Sequence, residues 1–261
     1  MINLYNYVIF IISRHISNLF SQKKVGVFNL LINLSIGNFK YSKYGVKLVN
    51  RDIKENTYRF CLGAAYGESY SKYLKLISDR FIFLDIGSNI GLYSCIASQN
   101  ENCQYTYSFE PISFLSSIIK KNYKINSVKG KVLNFGINKN NNFCKVYYNP
   151  NHTGMSSVLR HKNIYYKRVL KCRFVDRNSL NRVFNKKFTN YIVKIDVEGL
   201  EKIVINELLN SNISKLISSI FVEIDSKKNF YIINKMLKKK NFKIIKNFKT
   251  NLTKDYLFIK K

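Results

Sequence analysis

Residues 81–97 read FIFLDIGSNIGLYSCIA. A short apolar run ends in a carboxylate, Asp85; a turn carrying Gly87 and Gly91 follows, and then a second apolar run. The first run is rich in aromatic and branched side chains, as a strand buried on both faces requires. The second predicts a helix over residues 91–98. Strand, glycine turn and helix in succession form the unit of an open α/β sheet, whose ligands lie just beyond the carboxyl ends of the strands. Gly87 and Gly91 are expected to let backbone come close to a ligand. Asp85, at the strand end, is expected to accept hydrogen bonds from it. YSFEP at 107–111 and YIVKIDVEGLE at 191–201 repeat the pattern, so one site built from three strand ends is predicted.

The alternation continues along the chain. Strands are predicted at 105–109, 131–137, 191–196 and 217–224, and helices at 113–123, 177–184, 200–209 and 230–239. Two β-rich segments, 143–148 and 168–175, flank a polar loop at 149–162. Two closing strands, 242–248 and 256–260, are separated by a short NLTKD turn. Alternating strands and helices imply a mostly parallel sheet covered on both faces. The last connection is too short for a helical crossover, so the closing strands should be antiparallel. Upstream, residues 68–77 read as a helix, 58–62 as a strand, and 1–56 as a helix followed by short strands near 46–49. The architecture expected is α/β and doubly wound, with an antiparallel strand near the C-terminus.

A length of 261 residues suits one large domain with an appendage, and 46% hydrophobic content is ample for its core. The net charge is +29. Such a chain attracts nucleic acid, anionic lipid and acidic glycans. Its lysines are nevertheless spread along the whole length, with Lys238–Lys240 and Lys260–Lys261 the densest runs. Lys, Asn, Ile and Tyr are abundant together, as AT-rich codons would make them. There is no arginine-rich arm and no nucleic-acid motif. The five cysteines are odd in number and form no CxxC pair, which speaks against a disulfide framework and a zinc site and suits a reducing cytoplasm. Residues 1–20 are apolar but interrupted. They fall short of the roughly 20 apolar residues of a membrane span and lack the marks of a signal peptide. A helix packed on the domain is expected there, with a membrane-surface helix as the alternative.

Acidic residues are scarce, 15 in all, yet Asp85, Glu110, Asp196, Glu198, Glu223 and Asp225 fall at or just past predicted strand ends. Helix capping would account for some of them. Asp85, Gly87 and Gly91 have the spacing DxGxxxG, which departs from the dinucleotide GxGxxG fingerprint. Glu110 ends the second strand, where an acid grips ribose hydroxyls. Together they point to an adenosine-bearing cofactor.

FLDIGSNIGLYS, SFEP, IVKIDVEGLE and FVEID, in this order, resemble the FkbM family of S-adenosylmethionine-dependent methyltransferases over residues 81–225. The resemblance implies a class I methyltransferase fold, with residues 1–78 as an N-terminal extension packed on a catalytic domain of residues 79–261. It implies O-methylation, commonly of sugar hydroxyls in surface glycans. It places Asp85, Gly87, Ser88, Asn89 and Gly91 along the methionine and ribose part of the cofactor, Glu110 at the ribose hydroxyls, and Pro111 and Ile112 beside adenine. Asn138 and its neighbours supply no acid for the adenine amine.

Methyl transfer to a hydroxyl is largely a matter of position, and a base must take the hydroxyl proton. Asp196 is the first candidate, then Glu198 and Glu223. That oxygen-rich set would also suit Mg²⁺, which the sequence does not require. His152, in the polar NHTGMSSV loop, is a further candidate base; His15 and His161 have no such context. An RNA methyltransferase would give the charge a purpose, but IDVEGLE stands where an Asn/Asp-Pro-Pro-aromatic motif would be, so a nucleic-acid partner is disfavoured. An NAD enzyme is disfavoured by the glycine spacing. A non-catalytic binding module is the remaining rival. A basic surface suits an acidic glycan or a lipid-linked acceptor at the inner membrane face.

Overall fold

The computed structural model describes residues 2–19, 24–65, 68–162, 164–184, 190–249 and 254–261. In chain order its elements are α1 (Ile2–Asn18), α2 (Lys24–Ile32), β1 (Phe39–Tyr41), β2 (Lys47–Val49), α3 (Asn56–Gly63), α4 (Glu68–Lys75), β3 (Phe81–Ile86), α5 (Leu92–Ala97), β4 (Cys103–Phe109), α6 (Ser113–Ile125), β5 (Gly130–Leu133), β6 (Gly136–Ile137), β7 (Asn142–Tyr148), β8 (Arg168–Val175), α7 (Arg177–Val183), β9 (Tyr191–Ile195), α8 (Glu201–Leu209), β10 (Ile217–Ile224), α9 (Lys227–Lys238), β11 (Phe242–Lys249) and β12 (Lys254–Lys260).

Seven strands form the central sheet in the order β11-β12-β10-β9-β3-β4-β5. From β5 to β10 neighbouring strands are parallel. β12 inserts antiparallel between β10 and β11, so the closing hairpin is antiparallel as its short turn requires. Every residue of β3 and β9 is buried, which explains their unbroken apolar runs. The strand order reverses between these two, and their register pairs Asp85 with Lys194 and Ile86 with Ile195. Their ends are therefore level at the point where a ligand crevice opens.

Helices cover the sheet through apolar stripes: Leu115, Ile119 and Tyr123 on α6, Ile233 and Leu237 on α9. α4 docks through Tyr70, whose ring stacks on Phe221 of β10 with centroids 3.8 Å apart. A small second sheet, β6-β8-β7, stands beside the main one and carries the polar loop.

Three expectations need correction. The strand expected at 131–137 is two strands in different sheets, β5 and β6. Asn134 makes the break: its amide donates to the carbonyls of Glu110 and Pro111 and to Ser116 Oγ, which turns the chain out of the sheet. Residues 58–62 are helical, within α3, because the Glu55 carboxylate caps the N–H groups of Thr57 and Tyr58 at 2.9 and 2.8 Å. A second N-terminal helix, α2, was not foreseen. Residues 251–253 of the closing turn lie outside the described residues.

The β1–β2 hairpin is tied to α6 by two asparagines. Asn122 Oδ1 accepts from Val49 N and Asn126 Oδ1 from Lys47 N, both at 2.8 Å. Asn122, fully buried, also donates to the carbonyl of Ile90 at 2.7 Å. Asn122→Ala would leave a buried N–H and a buried carbonyl unpaired, at about 1–3 kcal/mol each. A lowered urea midpoint with an unchanged m-value is the expected result.

Candidate active site

The carboxyl ends of β3, β4, β9 and β10 open into a cavity of about 540 Å³. Gly87, Ser88, Asn89, Glu110, Pro111, Ile112, His152, Asp196, Glu198 and Glu223 all line it. Asp85 and Gly91 do not. Asp85 points down into the sheet, where Oδ2 accepts from Ser94 N at 3.1 Å and Ser94 Oγ at 2.9 Å. The exposed Asp225 accepts from Asn229 at the start of α9.

Gly87 borders the cavity and Gly91 does not, and each also makes room for the protein's own atoms. Gly87 has φ +77°, and a Cβ there would lie 1.7 Å from the carbonyl oxygen of Asp196. The space it leaves admits the backbone of the neighbouring strand end. Gly91, also at φ +77°, makes room for Ile119 of α6. Between them Asn89 takes the left-handed conformation (φ +52°) that asparagine tolerates.

Glu110 organises this turn. Its Oε2 accepts Asn89 N at 2.9 Å and its Oε1 accepts Ile112 N at 2.8 Å. Burial pushes its pKa up to about 8, against the pull of those two N–H groups.

At the other end stands a group of carboxylates. Lys194, on β9, is almost wholly buried and places Nζ 3.0 Å from Asp196 Oδ2 and 4.0 Å from Asp85 Oδ1, over the ring of Tyr93. Burial disfavours the ammonium, but the carboxylates of Asp196 and Asp85 outweigh it and its pKa lies above the ordinary value. Glu198 occupies a left-handed turn (φ +51°), strained for a side chain of its size. Burial, reinforced by Asp196 and Glu223, raises its pKa to about 9. Asp255, at the start of β12, also lines the cavity. Burial first, and then Asp196, lift it to about 7. Among the described residues no group of three or more His, Cys, Asp or Glu side chains is placed to share a metal ion.

The roof comes from two segments outside the sheet. Thr57, Phe60 and Cys61 of α3 form one part, and the 3₁₀ turn Thr153–Met155 the other. Glu55 joins them, since Oε1 also accepts Thr153 N at 2.9 Å. Thr153 Oγ1 donates to Asn89 Oδ1, and Ser157 Oγ donates to the carbonyl of Glu198 at 2.6 Å. The loop is thus tied to both halves of the floor. Thr57 Oγ1 accepts Gly154 N at 2.8 Å and lies 3.2 Å from His152 Nδ1. Burial lowers the His152 pKa, so the ring is neutral at neutral pH.

Sequence reasoning missed Asp255, Lys194, Glu55 and Thr153. Asp255 had a usable signal: an antiparallel last strand must begin at the edge where its parallel neighbour ends, and Asp255 pairs in register with Glu223. Lys194 is visible as a charge inside a buried strand. Glu55 and Thr153, 98 residues apart, carry no local signal.

A doubly wound sheet with its antiparallel strand between the last two parallel ones, and a cavity over the reversal of strand order, define a class I methyltransferase. The sequence model of the methyltransferase FkbM domain matches residues 85–244, and the chain belongs to that family of S-adenosylmethionine-dependent methyltransferases. No curated protein matches the sequence. Similar solved structures include M. capricolum TrmK in complex with S-adenosyl-homocysteine, with 16% identity over 75% of this chain and 68% of that one and a TM-score of 0.44. The ribosomal protein L11 methylase of Lactobacillus delbrueckii subsp. bulgaricus shares 10% identity over 78% and 79%, TM-score 0.44. The precorrin-6y C5,15-methyltransferase of Geobacter metallireducens shares 8% over 74% and 86%, TM-score 0.44.

The residues present fit the cofactor. Each Glu110 oxygen accepts one backbone N–H and retains acceptor capacity for a hydroxyl. Pro111, Ile112, Ile137 and Phe174 supply apolar walls for a flat ring, and the carboxylates opposite suit a cationic centre.

Because Glu110 is more basic in the folded chain than in the unfolded one, the folded state holds the extra proton between about pH 4.5 and 8. Stability from this group is full below that window and is lost as pH rises through it. Glu110→Gln cannot ionise, so the decline in urea midpoint from pH 5 to about 8 should flatten. An unchanged slope would assign it to other groups.

Proposed function

We propose that this methyltransferase works in a reducing cytoplasm and transfers the methyl group to a hydroxyl of a sugar, in a surface glycan or related glycoconjugate. The observation that carries this reading is the division of the cavity between Glu110 at one end and Asp196, Glu198, Glu223 and Asp255 at the other. Hydroxyls are held well by carboxyl groups. Phosphates and acidic sugars are repelled by them, which favours a neutral sugar hydroxyl over RNA or an acidic glycan. Residues 1–78 act in this reading as an extension that walls the site through α3.

Bound S-adenosylmethionine supplies an electrophilic methyl group. The chain positions the acceptor and removes its proton. Glu110 receives the ribose hydroxyls beside the turn of Gly87, Ser88 and Asn89, with Pro111 and Ile112 toward adenine. Lys194 holds Asp196 in one orientation, so that Asp196 aligns the acceptor hydroxyl. Glu198, protonated at neutral pH, donates a hydrogen bond to the sugar, and Glu223 accepts one. Asp255, poised near neutrality, suits proton removal best, because a general base works best with a pKa near the working pH. His152 is engaged with Thr57 and holds the roof loop.

Three measurements test this. Calorimetric titration should give S-adenosylmethionine binding to the wild type, and Glu110→Ala should weaken it about tenfold or more, the cost of leaving buried hydrogen-bonding groups unpaired. Methyl-labelled cofactor should then place label in a glycan fraction as a base-stable ether; label in RNA would instead favour an RNA methyltransferase. With that acceptor, kcat/KM should rise with pH through about 7. Asp255→Asn should lose that limb and about 10²–10⁴-fold in rate, while Asp196→Asn should lower the rate and keep the limb.

A further inference from the structure

Helix α1 is turned inside out for a helix on a protein surface. The side chains it buries are Asn6, Phe10, Ser13 and Ser17, three of them polar. At 100° per residue they share one face. The opposite face carries Leu4, Val8, Ile11 and Ile12, all exposed, with Leu4 at 68%, and Leu19, just past the helix end, is exposed at 73%. The patch continues beyond the helix. Tyr5 donates to the carbonyl of Leu34, Asn6 bonds the backbone of Ile36 on both sides, and a Cβ on Gly37 would meet Ile2. Leu34 and Ile36 are themselves exposed. Of the twenty large hydrophobic side chains exposed among the described residues, eleven lie between residues 2 and 36. An apolar surface this continuous marks an interaction site.

Charge selects the occupant. Residues 1–50 contain no Asp or Glu, and they carry Arg14, Lys23, Lys24, Lys40, Lys43 and Lys47. Arg14 and His15 are exposed on α1 itself. Lys40 is buried and Lys43 bonds Ser17 on the inward face, so Arg14 is the cation that α1 itself exposes, and two copies packed through this face would set Arg14 against Arg14 with no acid of residues 1–50 to pair. An anionic lipid surface supplies the missing charge and takes the aliphatic face into its acyl boundary. Among the described residues no helix is long and apolar enough to cross a membrane, so the helix would lie along the surface.

We propose that α1, with the segment around Leu34 and Ile36, docks the protein on a membrane containing anionic lipid. The docking face is one helix removed from the cavity: α2 donates from Asn29 to the carbonyl of Arg59 in α3, the helix whose Thr57, Phe60 and Cys61 line the site. This inference does not depend on the nature of the methyl acceptor.

The full chain is mixed with vesicles of phosphatidylcholine alone, or with about 30% phosphatidylglycerol, and bound protein is measured by flotation. Preferential binding to the anionic vesicles is expected. Val8→Asp/Ile12→Asp should weaken it about tenfold or more, the effect of removing two buried aliphatic side chains. Arg14→Glu, which keeps the apolar face, should reduce the anionic preference and steepen no other property. Thermal melting and S-adenosylmethionine titration should be unchanged in both variants, since the residues are exposed. No binding to anionic vesicles, equal binding to both, or binding indifferent to Val8→Asp/Ile12→Asp would overturn the proposal. So would self-association, seen by sedimentation velocity, that the double substitution abolishes; that result would give the face to a second copy.

Discussion

A lysine ammonium shut away from solvent between two carboxylates stands at the reversal of strand order, and much of the site is arranged around it. Lys194 holds Asp196 at 3.0 Å and faces Asp85 at 4.0 Å. Removing one member of a buried charged group leaves an uncompensated charge, typically worth about 3–5 kcal/mol. The arrangement links the sheet interior, through Asp85 and Ser94, to the cavity floor at Asp196. It also requires the ends of β3 and β9 to approach more closely than a side chain would permit, which is why position 87 is a glycine.

Electrostatics divides the molecule. The chain as a whole is strongly basic, yet the end of the cavity opposite Glu110 gathers Asp196, Glu198, Glu223 and Asp255. Burial raises the pKa values of Glu198 and Asp255, and the neighbouring Asp196 adds to both. Glu198 and Asp255 are pushed up to about 9 and about 7, so neutral pH finds charged and protonated carboxyls side by side. That mixture gives donors and acceptors for hydroxyl groups. The basic character of the chain lies outside this acidic cavity end, and in the acid-free N-terminal segment it meets exposed apolar surface.

The N-terminal segment has two faces of different character. Toward the domain it is bonded in detail: Glu55 ties α3 to the Thr153 turn, and Asn122 and Asn126 clamp the β1–β2 hairpin. Away from the domain it offers aliphatic side chains to the surroundings. The same segment therefore completes the roof of the cavity and exposes a separate apolar surface.

Periodicity and strand-end chemistry were enough for the sheet, its antiparallel finish and the line of acids at its edge. Buried parallel strands need continuous apolar runs, and polar groups at their ends can only be tolerated where the sheet meets a cavity. The family followed from those same short motifs. Residues 58–62 misled because an aromatic run reads like a strand, while the Glu55 cap that makes it a helix is a single side chain. What each site residue does was decided in three dimensions. Gly87 answers to the Asp196 carbonyl, Asp85 to Lys194 and Ser94, and Asp255 to Glu223 across an antiparallel pair. The roof joins residues 98 apart through Glu55 and Thr153. Local sequence carries the period of an element and the chemistry at its ends. Which distant groups share one desolvated space, and hence which are charged, depends on chain crossings that no window of sequence contains.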